Sequence, residues 1–215
     1  MSELRGDTIR DFGEQWTAFR DNDGYYASQE LFRDIAGPFT DAVGLEGAKA
    51  CDIGSGTGRI VRMLAAAGAA HVLAVEPSAA YDVLVDNVRD LGERVTAVRA
   101  AGEDFPATGD RDVVVSFGVL HHIPEPAPVV RRAFEALRPG GKLLVWLYGR
   151  GGNELCLSLA EPRRRVTTRL PHRALDALSR GLRAPLDAYV WAARRLPRLP
   201  MAAYMVEHIG KLSPE

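Results

Sequence analysis

The sequence predicts an α/β fold: an open sheet of at least five parallel strands with helices on both faces, followed by a C-terminal helical cap. Three observations predict it. From about residue 50, short β-branched runs alternate with segments of helical period, the pattern of βαβ units. The strand-like runs are nearly continuous in apolar residues, as parallel strands buried on both faces must be. After residue 153 such runs stop, and Pro162, Pro171, Pro185, Pro197 and Pro200 divide a helical stretch into short pieces.

Each element has its own warrant. "DFGEQWTAFRDNDGYY" is helix-like, with Phe12, Trp16 and Phe19 on one face, a face that either packs on the main domain or forms a flap over a ligand. The first strand spans 49–53, and "RIVRMLAAAG" follows as a helix closed by Gly68 at its C′ position. "AHVLAVEPS" is the second strand. Ser78 is placed to N-cap the next helix, whose apolar face carries Tyr81, Leu84, Val85, Val88 and Leu91. "RVTAVRA" and "DVVVSFG" are the third and fourth strands, "PVVRRAFEAL" a helix ended by "RPGG", and "KLLVWLY" the fifth strand. In the tail, "HRALDALSRGLR" aligns Leu175, Leu178 and Leu182, and Pro185 suits the N1 position of a further helix bearing Leu186, Tyr189, Val190 and Ala193.

These elements suggest three parts: an N-terminal helical flap over 1–40, an open-sheet domain over 41–153 and a basic helical cap over 154–215. The formal net charge of −1 hides a division. Residues 1–153 hold 16 Lys and Arg against 22 Asp and Glu, whereas the rest hold 11 against 6. Such asymmetry suggests regions with different work. The opening residues lack the apolar centre of a secretory signal, and no run of about 18 apolar residues occurs. Cys51 and Cys156 cannot build a disulfide framework, and Cys51 sits in an apolar run as a small core residue. A cytoplasmic protein is expected.

The chemistry begins at "CDIGSGTGR". A dinucleotide fingerprint reads G-x-G-x-x-G; here Gly54, Gly56 and Gly58 read G-x-G-x-G, and Arg59 stands where the third glycine is expected. Asp52, two residues before Gly54, would oppose a pyrophosphate but could hold a cationic amine directly or through water. S-adenosylmethionine carries an ammonium and a sulfonium and no phosphate, and its carboxylate can use a helix N-terminus. Glu76 follows 18 residues after Gly58, where the next strand ends and a carboxylate can receive two vicinal hydroxyls.

At these motifs the chain resembles the class I S-adenosylmethionine-dependent methyltransferases, in the branch of the ubiquinone- and menaquinone-type enzymes, over residues 45–150. The resemblance implies a Rossmann-like sheet and a methyl transfer that leaves S-adenosylhomocysteine. It implies that Asp52, Gly54, Ser55 and Gly56 approach the methionine half of the cofactor, that Glu76 binds the ribose, and that Pro77 and Ser78 lie beside the adenine. "AAGEDFP" is similar to the adenine-edge motif, carried by Gly102, Glu103 and Asp104. "SFGVLHHIPEP", with Phe117 at its start, resembles the end of the fourth strand, and "LRPGGKLLVWLY" the turn into the fifth. The family usually closes its sheet with two more strands. None is read here, so either the helices are an inserted cap and the chain stops before those strands, or the fold lacks them.

The resemblance places His121 and His122 where the methyl leaves, with His121 named first as a base. Either could take a proton from a hydroxyl or acidic carbon, and either could instead hydrogen-bond the turn before Pro124. Adjacent histidines do not readily chelate one metal, so no metal site is expected. The expected acceptor is a small molecule. No Asn-Pro-Pro-Tyr sequence follows the fourth strand, which favours oxygen or carbon over nitrogen. Nucleic acid is disfavoured by charge and by the lack of aromatic–basic interleaving. A membrane surface is compatible with the amphipathic tail and with the Arg163–Arg164–Arg165 cluster but is not favoured; a homodimer is also compatible. Two alternatives stay open: a non-catalytic S-adenosylmethionine-binding module that docks a partner, and an NAD-dependent oxidoreductase.

Overall fold

A computed structural model describes residues 2–37, 39, 44–149, 167 and 170–211. Contacts divide the chain into two units, Met1–Tyr148 and Gly149–Glu215. Cys156, Pro162 and the arginines at 163–165 lie outside the described residues.

In the first unit, helices α1 (Ser2–Ala18) and α2 (Gln29–Ala36) precede the sheet. Then come β1 (Lys49–Ile53), α3 (Arg59–Ala66), β2 (His71–Val75), α4 (Ala80–Val88), β3 (Val95–Val98), β4 (Arg111–Phe117), α5 (Ala127–Ala136) and β5 (Leu137–Trp146). All strand pairs are parallel, in the order β3-β2-β1-β4-β5. The expected five-stranded parallel sheet is therefore present.

Alternation along each strand sorts the core into two layers. Ala50, Val72, Ala74, Val113 and Val115 face the layer that holds α2, α3 and α4 residues such as Phe32, Leu64 and Leu84. Cys51, Ile53, Leu73, Val75 and Val114 face the other layer, with Phe105 and, from α5, Val129 and Ala133. Both faces are thus covered, which is why the strands read as unbroken apolar runs. Cys51 is a free, fully buried thiol in that second layer. The sheet changes direction between β1 and β4, and the loops after these two strands open a crevice at their C-terminal ends, the place where open α/β sheets take ligands.

Three local expectations need correction. The helix at the N-terminus starts at Ser2 and stops at Ala18, so Phe19 lies beyond it and is 65% exposed, away from the face of Phe12 and Trp16. The Asp21–Asn22–Asp23–Gly24 run that follows consists of residues with low helix propensity. β5 is in register from Leu137, but Arg138–Gly141 bulge out and regular pairing with β4 resumes at Lys142. In the second unit, α6 (His172–Arg195) runs through Pro185 rather than restarting there. Gly181, the residue with the freest backbone, stands four positions earlier, where the proline ring crowds a carbonyl.

The second unit continues with a helical turn at Ala202–Tyr204 and a π-type turn at Met205–Ile209. Val190, Ala193 and Ala202 are buried, and the Tyr189 hydroxyl donates to the Pro200 carbonyl. Leu178, Leu182 and Leu186 are exposed on α6. Among the described residues, no strand follows β5, and no helix is long and apolar enough to cross a membrane.

Candidate active site

The crevice is walled by the loops after β1, β2 and β4, by residues 101–103, and by α1. Counted out to its open mouth, and so including open solvent, it spans about 1070 Å³.

The turn after β1 supplies its floor. Gly54 and Gly58 adopt φ of 81° and 87°, a region that disfavours side chains. A Cβ on Gly54 would lie 2.5 Å from Val119, and one on Gly58 would lie 2.9 Å from Leu84. The first glycine lets the β1 and β4 loops meet, and the second lets α3 start against α4. The backbone N–H groups of Gly54 and Ser55 both donate to the Val75 carbonyl, at 2.9 and 3.0 Å, which fixes the turn to β2.

Two carboxylates sit under and beside this turn. Glu76 is 6% exposed, and its Oε2 accepts from the Gly56 N–H at 2.8 Å. Its Oε1 accepts from the Ser78 N–H at 2.9 Å and from the Ser78 hydroxyl at 2.5 Å. A carboxylate offers about four acceptor positions, so a ligand hydroxyl can join or replace these donors. Ser78 does help cap α4, since its Oγ accepts from the Ala80 N–H at 3.1 Å. Asp52 is 1% exposed and lies one layer below the lining, its Oδ2 without a hydrogen-bond partner among the described residues. Burial pushes its carboxyl up to about 7, and the nearby Glu76 charge acts in the same direction. A buried acceptor left unpaired is costly and asks for a donor or a cation.

The β4 side differs. Phe117, Gly118, Val119, His122, Ile123 and Pro124 contribute here. Leu120–His122 form one 3₁₀ turn that keeps the two histidine rings against each other, with centroids 4.0 Å apart. His122 lines the crevice and meets Phe12 of α1 edge-on, with ring centroids 4.7 Å apart. His121 meets the Tyr148 ring at 4.7 Å instead and is not part of the lining; desolvation lowers its pKa from the ordinary histidine value.

Of the residues expected from sequence, Gly54, Ser55, Gly56, Glu76, Pro77, Gly102, Glu103, Phe117 and His122 converge on the crevice, Asp52 lies beneath it, and His121 stands aside. Sequence reasoning missed Tyr26, Arg59 and Thr57 as lining residues. The Arg59 guanidinium stacks on the Tyr26 ring at 4.0 Å. Its position in place of a third glycine was the only signal. Among the described residues, no group of three or more His, Cys, Asp or Glu could hold a metal.

The donor set suits S-adenosylmethionine better than a dinucleotide. Asp52 offers an orphaned buried acceptor for an ammonium, whereas Asp52 and Glu76 together would repel a pyrophosphate laid on the same turn. Known proteins agree with this geometry. Residues 51–145 match the family described as methyltransferase domain. Over 103 residues the chain is 36% identical to a ubiquinone biosynthesis O-methyltransferase of Aromatoleum aromaticum, covering 46% of this chain and 44% of that protein. It is 34% identical over 107 residues to a tRNA U34 carboxymethyltransferase of Chromohalobacter salexigens, covering 47% of this chain and 32% of that one. The chain thus spans less than half the length of these curated relatives. The crystal structure of the YcgJ protein of Bacillus subtilis shares the fold, with a TM-score of 0.50, 18% identity, and coverage of 61% of this chain and 58% of that one. Over residues 51–145 the chain carries a class I S-adenosylmethionine-dependent methyltransferase domain.

Proposed function

We propose that this protein moves a methyl group from S-adenosylmethionine to an oxygen or carbon of a small-molecule acceptor, in the cytoplasm. The observation that carries the reading is the pairing, in one crevice, of the carboxylate-flanked glycine turn after β1 with the aromatic and histidine wall after β4. When bound, S-adenosylmethionine supplies a methyl already activated by its sulfonium.

The chain's own residues then bind, orient and exclude water. Asp52 balances the ammonium, Glu76 takes the ribose hydroxyls, and Gly102 and Glu103 border the adenine. Phe117, Val119 and Ile123 keep the transfer zone apolar. Alignment of acceptor and methyl can lower the barrier by about 7–11 kcal/mol. A ring nitrogen of His122 accepts the acceptor's proton, a contribution of about 10²–10⁴ in rate where deprotonation is needed. The O-methyltransferase name of the 36% identical relative supports an oxygen acceptor, and the absence of an Asn-Pro-Pro-Tyr sequence after the fourth strand speaks against nitrogen. The two-cysteine composition supports the reducing cytoplasm.

The test is transfer of label from methyl-labelled S-adenosylmethionine to a panel of phenols, catechols and carbon acids, alongside calorimetry with S-adenosylhomocysteine and NAD. Transfer, with homocysteine-cofactor binding tighter than NAD, is expected. Binding without transfer to any acceptor would turn the reading toward a non-catalytic module, and tighter NAD binding would overturn it.

A further inference from the structure

Helix α1 carries an apolar stripe that belongs to neither core layer. Thr8, Phe12 and Trp16, spaced four residues apart, line the crevice with Ile9, and both aromatic rings are half-buried there. Neither ring appears in the two clusters that hold the sheet together. Their apolar surface faces the space where a ligand sits.

Helix α1 also touches both cofactor-facing turns, one through its backbone at Gly13 and the other through the Trp16 side chain. A Cβ on Gly13 would lie 3.1 Å from the Ser78 Cβ and from the Ala79 nitrogen, so the helix rests on the turn after Glu76. A Cβ on Gly56 would lie 3.5 Å from the Trp16 indole nitrogen, so the ring stands over the glycine turn. Just past α1, the chain is tied to that same turn. Asn22 Nδ2 donates to the Thr57 carbonyl at 2.9 Å while the Thr57 hydroxyl donates back to Asn22 Oδ1 at 2.7 Å. Asn87 Nδ2 bridges the Thr57 and Arg20 carbonyls at 2.9 and 2.8 Å. Thr57 is buried and the bonds that meet it are part-buried, whereas the bond from Asn87 to the Arg20 carbonyl is exposed.

We propose that α1 is a lid over the cofactor, latched to the glycine turn through Asn22, Thr57 and Asn87, and that Trp16 is the lid residue that contacts bound S-adenosylmethionine. The inference rests on the cofactor reading above. The latch makes cradle and lid respond together. Asn22, which acts through Thr57, is a positioning residue.

The test keeps the full chain and replaces Trp146 and Trp191 by Phe, leaving Trp16 as the sole tryptophan. Titration with S-adenosylhomocysteine should change its emission with the midpoint found by calorimetry, and the ligand should slow hydrogen exchange over α1. Asn22→Ala should weaken binding about tenfold, mainly by faster dissociation, and speed α1 exchange in the free protein. Trp16→Ala should weaken binding more than Trp16→Phe. Ligand binding that leaves both Trp16 emission and α1 exchange unchanged would overturn the lid while the cofactor reading stands. No S-adenosylhomocysteine binding to the wild type would overturn both.

Discussion

The two halves of the crevice are built differently. On the β1–β2 side, Asp52, Ser55, Thr57, Glu76 and Ser78 are all buried, and Glu76 is held by three protein donors. On the β4 side, His121 and His122 are exposed on a short 3₁₀ turn, and rings meet rings. The first half is a preformed mould for one ligand; the second is an apolar wall with a single proton acceptor on the lining. A fixed polar mould suits a constant cofactor, because each buried group must find its partner. A wall of rings and a mobile proton site tolerates different acceptors, since apolar contact is non-directional.

The largest test breaks the joint between the halves. Gly54→Val introduces a β-branched residue at φ 81° and drives it into Val119, so about 2–5 kcal/mol of stability should be lost, together with measurable S-adenosylhomocysteine binding. Thermal unfolding and calorimetry check this; a wild-type melting point would refute the tight joint.

Next, the β4 half is probed through its histidines. His122→Ala should lower kcat by about 10²–10⁴ with cofactor affinity nearly unchanged, whereas His121→Ala should change kcat only a few-fold. The reverse ranking, read from steady-state rates, would move the base to His121.

On the mould side, Glu76→Ala should weaken S-adenosylhomocysteine binding by about 1–3 kcal/mol, the scale of charge-assisted hydrogen bonds. It also leaves the Gly56 and Ser78 N–H groups without their acceptor. An unchanged dissociation constant would place the ribose elsewhere.

The smallest effect is in pH dependence. Asp52 binds its proton up to about 7 in the free protein, because burial disfavours the charge. A cationic ammonium favours the ionised form, so binding must release that proton. Affinity should therefore rise with pH below about 7, by at most tenfold per pH unit, and level off above it. Asp52→Asn should flatten this profile while binding more weakly at pH 8; calorimetry between pH 5.5 and 8.5 decides.

These two halves were also unequally legible. Asp52, the three glycines and Glu76 could be found in sequence because their spacing is set by one βαβ unit, a local object. The choice between His121 and His122 could not, because which of two touching imidazoles borders the crevice is set by how the loop after β4 packs near α1, not by residue type. Trp16 over Gly56 joins residues forty positions apart, and the bonds that tie Asn22 and Asn87 to Thr57 span 35 and 30 positions. Helical period placed Phe12 and Trp16 on one face but also drew in Phe19, which lies beyond the end of the helix.

By itself the sequence determined the sheet, its parallel sense and the glycine-turn side of the crevice, since strand periodicity and glycine turns depend on neighbours along the chain. Only the tertiary structure decided that Asp52 would be buried with an orphan oxygen, that His122 rather than His121 would reach the crevice, and that α1 would lie across the glycine turn. Each of those depends on packing between distant segments, where burial and hydrogen-bond satisfaction are settled by the whole fold.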